Sequence, residues 1–414
     1  MTKEQYDSYT YVEGGVCAAQ GFVANGLNCG INPDKAKNDL GMVYSKEVCH
    51  TAAVYTQNKV KGAPILVTKD HLDKTNGQAK AIIVNSKNAN TCNANGVEIA
   101  EAVCELVAKE LGIKATEVVV ASTGVIGEPI FVEPFANAMP ALVKGLSVEG
   151  HEEAAKAIMT TDTVKKEVAV TFELQGKKCT LGGMAKGSGM IHPNMCTMLS
   201  FVTTDAAISQ ELLLEALKAD VEDTYNMISV DGDTSTNDTC LLLANGMAEN
   251  TKITEKNADY ETFTKALRFV NETLAKQMAG DGEGATALFE VKVIGAETKE
   301  QAKILSKSVI TSSLTKAAIY GHDANWGRIL CAMGYSGAQF DPEKVDLFFE
   351  SAAGRMQIIK DGVAVDYSEE EATKILSEPA VTAIADIKMG DAQATAWGCD
   401  LTYDYVKINA DYRS

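Results

Sequence analysis

The segment from Ala81 to Ala121 constrains the fold most, because three stretches of different hydrophobic period follow one another inside it. Residues 81–84 and 117–121 are β-branched runs of strand length, while Ile99, Val103, Leu106, Val107 and Leu111 recur at helical spacing and Gly112 supplies a stop signal. A helix with one apolar stripe buries it on a sheet, so strand, helix, strand in this order predicts a layered α/β arrangement. The alternation continues. Further strands are predicted at 167–174, 227–230, 288–294, 345–349 and 381–387, and helices at 210–218, 260–278 and 299–309. With only eight prolines among 414 residues, no Pro-rich linker and no repeat, the pattern reads as one α/β assembly without a hinge. A Gly-rich, weakly charged segment from 182 to 195 interrupts the rhythm and leads into Thr197.

Charge and cysteine usage narrow the function classes. A formal net charge of −18 repels phosphate backbones and anionic lipid, and no basic patch is legible that would overcome it, so neither nucleic acid nor a membrane is expected as partner. Residues 1–15 contain no signal-peptide core, and no stretch approaches the roughly 18 apolar residues of a membrane span. Ten cysteines are scattered from Cys17 to Cys399 without a C-x-x-C pair, which fits a reduced, cytoplasmic compartment. Small molecules and other protein chains remain as partners.

The mid-chain segment reads Gly182-Gly183-Met184-Ala185-Lys186-Gly187-Ser188-Gly189-Met190-Ile191-His192-Pro193-Asn194-Met195-Cys196-Thr197-Met198-Leu199. Its glycines permit close backbone approach, Lys186 has few charged neighbours, and a hydroxyl residue opens an apolar stretch. On these residues alone, a glycine-rich turn before a buried strand or helix with a satisfied threonine is the simpler account.

The wider pattern changes this. Lys-Gly-Ser-Gly-Met-Ile, then Pro-Asn-Met, a small residue and Thr-Met-Leu, all present from Lys186 to Leu199, resemble the self-cleavage region of the ornithine acetyltransferase family, the bifunctional glutamate N-acetyltransferases. Further blocks of that family occur in order at 122–127, 159–163, 202–206, 231–239, 282–286, 323–328 and 408–414. Cys196 stands where the family more usually has alanine; being small and apolar, it is expected to be tolerated. Cys196 is also an alternative nucleophile, although no activating histidine is legible near it beyond His192.

The resemblance implies a mixed-sheet α/β sandwich of the self-processing type, cut between Cys196 and Thr197 into residues 1–196 and 197–414. The two pieces would stay associated as one folded unit, with two copies of each in a heterotetramer. It implies transfer of the acetyl group of N-acetylornithine to glutamate, in arginine biosynthesis, by a ping-pong route through acetyl-Thr197. Thr123 and Gly124 would hold the oxyanion, and Thr160, Lys186, Thr197, Glu283, Asn409 and Ser414 would bind substrate. Without the resemblance, Glu283 reads as an exposed loop acid, and Asn409 and Ser414 as a frayed tail. No cofactor and no metal are expected, and acetyl-CoA stays open as a co-substrate.

The chemistry has a physical logic. A threonine hydroxyl is a poor nucleophile, but an N-terminal threonine carries its own base, an α-amine with an ordinary pKa near about 8, and a cut just before the residue liberates it. Two other readings keep the same residues: an aminopeptidase or amidase with an N-terminal nucleophile, in which water takes the acyl group, and a ligand-binding protein in which Thr197 is never freed. The loop 231–238 alternates oxygen ligands as a calcium loop does, yet Thr236 replaces the required glycine and Leu242 the final glutamate, so it is read as a polar loop capping backbone groups near the site. The five histidines are too dispersed for a metal cluster, and the block Asn325-Trp326-Gly327-Arg328 is assigned to structure.

Overall fold

The computed structural model describes residues 9–192 and 198–411, so Cys196, Thr197 and Ser414 lie outside the described residues. In chain order its strands are β1 (Thr10–Tyr11), β2 (Phe22–Leu27), β3 (Leu40–Tyr55), β4 (Gln78–Asn85), β5 (Val118–Ser122), β6 (Lys166–Leu174), β7 (Lys177–Lys186) and β8 (Leu199–Thr204). They continue with β9 (Ile228–Ser229), β10 (Thr239–Ala244), β11 (Leu288–Ala296), β12 (Asp346–Ser351), β13 (Gly354–Lys360), β14 (Val363–Ala364), β15 (Ala380–Asp386) and β16 (Ala392–Cys399).

Two sheets result. The first has the order β1-β6-β7-β8-β10-β3-β4-β5, with β2 paired to β3, and the second the order β14-β13-β12-β15-β11-β16-β9. Both are mixed: β8 runs parallel to β10 and β4 to β5, whereas β7 pairs antiparallel with β6 and β8. In the second sheet β11 runs parallel to β15 and antiparallel to β16. The expected mixed-sheet α/β class is therefore observed.

What joins the sheets is the helix Ala258–Gly280, which packs on β6 and β7 of the first and on β11 and β16 of the second. Phe263, Leu267, Val270, Leu274 and Met278 recur every three or four residues and are fully buried, which is why this stretch is helical and central. Asn257 caps its first turn by accepting the Tyr260 N–H. On the opposite side, the helices Ala63–Lys74, Gly96–Leu111 and Glu133–Lys144 cover the β4–β5 end of the first sheet.

The Gly-rich segment does not interrupt the sheet as the sequence suggested. Gly182 and Gly183 lie inside β7, because a Cβ at Gly182 would meet the Gly15 carbonyl oxygen at 2.0 Å and one at Gly183 would press on Leu274 at 3.0 Å. The glycines let a turn and the central helix come against the strand. The strand predicted at 227–230 shrinks to Ile228–Ser229, since Tyr225–Met227 tighten into a 3₁₀ turn. The long β3 was not foreseen; a register shift between Tyr44 and Cys49, where exposed Lys46 to Val48 fall, breaks its apolar pattern.

Candidate active site

β7 ends at Lys186, β5 ends at Ser122 just before Thr123 and Gly124, and β8 begins at Leu199, two residues after Thr197. Around these strand ends is a cavity of about 150 Å³ lined by Thr123, Gly124, Thr160, Lys186, Glu283 and Asn409. Every described member of the expected site thus reaches one cavity, from five separate elements and loops.

Gly124 has to be glycine. Its φ is +129°, and an added Cβ would meet the Lys87 carbonyl carbon at 2.2 Å and the Asn88 nitrogen at 2.5 Å. The turn is tied to the end of β4 by Thr123 N–H to the Asn85 carbonyl at 2.9 Å and Val125 N–H to the Lys87 carbonyl at 3.1 Å. The Thr123 amide is therefore used by the fold. The donors this turn can offer a ligand are the Thr123 hydroxyl and the Gly124 N–H, which meets no acceptor among the described residues.

Lys186 is 7% exposed and donates to the Thr160 hydroxyl at 2.8 Å and the Thr123 hydroxyl at 3.4 Å. Burial, with the nearby Lys166 ammonium, lowers its pKa against the opposing pull of Asp162, Asp238 and Glu283. Beneath it lies Asp162, which takes the Lys166 ammonium at 2.7 Å, the Gly187 N–H at 2.7 Å and the Thr160 N–H at 3.1 Å, and faces Lys186 at 4.0 Å. Burial alone would raise the Asp162 pKa; the Lys186 and Lys166 ammonium groups and these hydrogen bonds outweigh it and hold the carboxyl at about 2. Lys166 also bonds Asp281 at 2.5 Å, and Asp281 marks the end of the central helix.

Glu283 is 7% exposed, not the exposed loop acid that its local sequence suggests. Its amide bonds the Ser188 carbonyl at 3.0 Å, and its carboxylate accepts Asn409 Nδ2 at 2.7 Å. Asn409 belongs to the helix Tyr403–Asp411 rather than to a frayed tail. Lys186 and Glu283 put opposite charges on one small cavity, an arrangement suited to a zwitterion or an amino acid with a charged side chain.

Four contributors escaped the sequence reading. Asp162, Ser235, Asn237 and Asp238 all support or line the cavity, and each lies within a quoted block, so a search of those blocks for acids and amides would have found them. Asn237 bonds the Ser122 carbonyl at 2.9 Å and the Ala89 carbonyl, accepts the Thr91 hydroxyl at 2.6 Å, and fastens the 231–238 loop to the end of β5. In that loop Asp231 caps the N–H groups of Met190 and Ile191 at 2.6 and 2.9 Å, the capping role expected of it. His192 turns its ring to Ser229 Oγ at 3.1 Å, and burial lowers its pKa to about 4, so it is uncharged near neutral pH. Asn325 caps the helix Trp326–Gly334, and Arg328 holds the Leu314 carbonyl at 2.7 Å, both structural tasks. Among the described residues, no helix is long and apolar enough to cross a membrane.

Comparison with known proteins adds an independent line. The ArgJ family model matches residues 23–414. The arginine biosynthesis bifunctional protein ArgJ 1 of Clostridium acetobutylicum is 51% identical over 397 residues, covering 95% of this chain and 96% of its own. The arginine biosynthesis bifunctional protein ArgJ of Caldanaerobacter subterraneus subsp. tengcongensis is 48% identical over 404 residues, with 97% and 99% covered. A crystal structure of the arginine biosynthesis bifunctional protein ArgJ of Bacillus halodurans, 49% identical, superposes with a TM-score of 0.50; the match takes in 100% of that chain but 52% of this one.

Proposed function

The chain belongs to the ArgJ family, and on that premise we propose that it transfers the acetyl group of N-acetylornithine to glutamate through an acetyl ester on Thr197. The observation that carries this is the single cavity into which Thr123, Gly124, Thr160, Lys186, Glu283 and Asn409 converge beside the start of β8. Lys186 takes the α-carboxylate shared by both amino acids, and Glu283 takes the side-chain ammonium of ornithine. The Thr123 hydroxyl and the Gly124 N–H hold the oxyanion of each tetrahedral intermediate, a donor of this kind being worth about 3 kcal/mol of barrier.

The reaction runs in two halves. As Thr197 Oγ bonds to the acetyl carbon, its proton passes to the residue's own α-amine; the amine then returns it to the leaving nitrogen of ornithine as the C–N bond breaks. Glutamate reverses these steps and leaves as N-acetylglutamate. The word bifunctional in the relatives' names supports acetyl-CoA as a second donor to the same threonine.

The α-amine has to be made first, by attack of Thr197 Oγ on the Cys196 carbonyl and hydrolysis of the resulting ester. This gives residues 1–196 and 197–414, two copies of each forming a cytoplasmic heterotetramer. A crystal structure chain half as long as this one, matched over its full length, supports a two-chain product. N-terminal sequencing of the purified protein should return Thr-Met-Leu-Ser beside the original start. Thr197→Ala should stay intact at about 44 kDa and transfer nothing; a variant that is still cut and still active overturns the assignment. Deacetylation of N-acetylornithine without transfer to glutamate would make the enzyme an amidase instead.

A further inference from the structure

A second chamber adjoins the catalytic cavity and has no part in the scheme so far. It measures about 700 Å³ against about 150 Å³, and the two meet at Thr160 and Thr161, which line both. The helix Tyr403–Asp411 borders both as well, with Asn409 on the catalytic cavity and Ile408 on the chamber. Thr160 belongs to the catalytic side through its hydroxyl, which takes the Lys186 ammonium at 2.8 Å. N-acetylornithine and glutamate are short chains with charges at their ends, and the smaller space is of their scale. The larger one falls in the range of about 300–1,000 Å³ found for sites of bigger small molecules.

Three lysines line the chamber, Lys37 and Lys156 exposed and Lys87 half-buried. The Lys37 ammonium has no partner among the described residues. Lys156 stands between Glu152 at 3.1 Å and Glu153 at 3.0 Å, exposed pairs that contribute little and yield to a stronger anion. The acids of the lining are otherwise engaged: Glu153 accepts Asn38 Nδ2 at 2.7 Å, Asp162 accepts the Lys166 ammonium, and Asp34 accepts the Ala36 N–H at 3.0 Å. Lys87 ties the chamber to the oxyanion turn. Its backbone sits at φ +73°, a costly conformation for a lysine, and the same backbone accepts the Val125 N–H and lies so close to Gly124 that no Cβ fits there. Half-buried Met159 and Ile408 add apolar surface.

Resting on the acetyl-transfer reading, we infer that this chamber holds the pantetheine arm and nucleotide of acetyl-CoA, with the thioester directed past Thr160 to the Thr123–Gly124 turn. Met159 and Ile408 suit the arm, and the lysines suit the phosphates, which an ammonium binds as a point charge. The step differs from that of N-acetylornithine only in the leaving atom. The acetyl carbon bonds to the threonine oxygen, the C–S bond breaks, and the hydroxyl proton leaves on sulfur as the free thiol. The two donors thus share one acetylation point and use separate recognition surfaces, Glu283 with Asn409 for one and the three lysines for the other.

The test compares the wild-type full chain with Lys37→Gln/Lys156→Gln and Lys37→Arg/Lys156→Arg, measuring acetyl transfer to glutamate from acetyl-CoA and from N-acetylornithine. In the glutamine variant KM for acetyl-CoA should rise about tenfold or more with kcat little changed, the loss of two charge-assisted contacts, while kcat/KM for N-acetylornithine stays within about twofold and so also reports an intact fold. The arginine variant keeps both charges and should stay close to wild type with either donor. An unchanged KM for acetyl-CoA, an equal loss with both donors, or an arginine variant as weak as the glutamine one overturns the inference. So does a wild type that uses N-acetylornithine but not acetyl-CoA. A wild type that transfers from neither donor fails the acetyltransferase reading itself, so the wild-type rate with N-acetylornithine tells the two failures apart.

Discussion

The two walls of the cavity are built differently. On one side Lys186, Thr123 and Gly124 stand at the ends of sheet strands, over a buried network in which Asp162 and Asp281 share the Lys166 ammonium. On the other, Glu283 is on a loop and Asn409 on the helix Tyr403–Asp411, which has no buried residue and leaves Tyr403 82% exposed. That helix is attached by few bonds, chiefly Thr402 Oγ1 to the Gly284 carbonyl at 2.8 Å and Asn409 to Glu283. The strand-end wall is over-determined, and the wall of loop and terminal helix is lightly fastened. Changes at the second wall should then leave the fold intact, whereas the first cannot be touched without unsettling it.

Lys166→Met attacks the contrast most severely, because it leaves the Asp162 and Asp281 carboxylates without their shared cation. Urea unfolding should show a loss of about 3 to 5 kcal/mol; a loss under about 1 kcal/mol would mean that this wall is no firmer than its counterpart. Gly124→Ala strains the turn after β5 against Lys87 and Asn88 and, on its proposed oxyanion role, should lower kcat about a hundredfold or more with KM moving much less. The network also has a pH signature. Asp162 has a folded pKa of about 2 against an ordinary 3.8, a depressed value, so its contribution is complete above the unfolded pKa and is lost as pH falls through the folded one. The wild-type minus Asp162→Asn stability difference should hold steady above about pH 4 and shrink by about 2 kcal/mol towards pH 2.

At the lighter wall, deleting residues 409–414 should raise KM for N-acetylornithine roughly tenfold, the value of a hydrogen bond to a charged group, while the unfolding midpoint holds. An equal fall in stability would show that the terminal helix belongs to the core after all. Asn409→Ala alone should do less, about threefold to fivefold in KM, since it removes one contact to Glu283.

The legibility of these walls in the sequence follows the same division. Period and composition found the central helix to within two residues at each end and two of the strands it packs on, β6 and β11, since burial on one face writes itself into spacing, but not β7 or β16. β3 was missed because its exposed bend breaks the alternation that marks a strand. Lys186, Thr123 and Gly124 were named through motif resemblance, and the structure brings them together. Asp162 and Asp238 were not, because the sequence does not record whether an acid among polar neighbours is solvated or buried against a lysine. Glu283 shows the same limit: Asp281-Gly282-Glu283-Gly284 looks like a surface loop until the helix Tyr403–Asp411 is laid over it.

The pairing of β7 with β8 has a consequence for the proposed cut. Six register pairs, from Leu181 with Thr204 to Lys186 with Leu199, tie the strand before the break to the strand after it, and β10 holds the newcomer's other edge. Losing the covalent link therefore need not loosen the sheet. It changes the thermodynamic bookkeeping, since a nicked protein refolds by association and its apparent stability depends on how concentrated it is. Each tenfold dilution should lower that stability by about 1.4 kcal/mol per dissociating pair, a dependence the uncut Thr197→Ala chain would lack at the level of these two pieces.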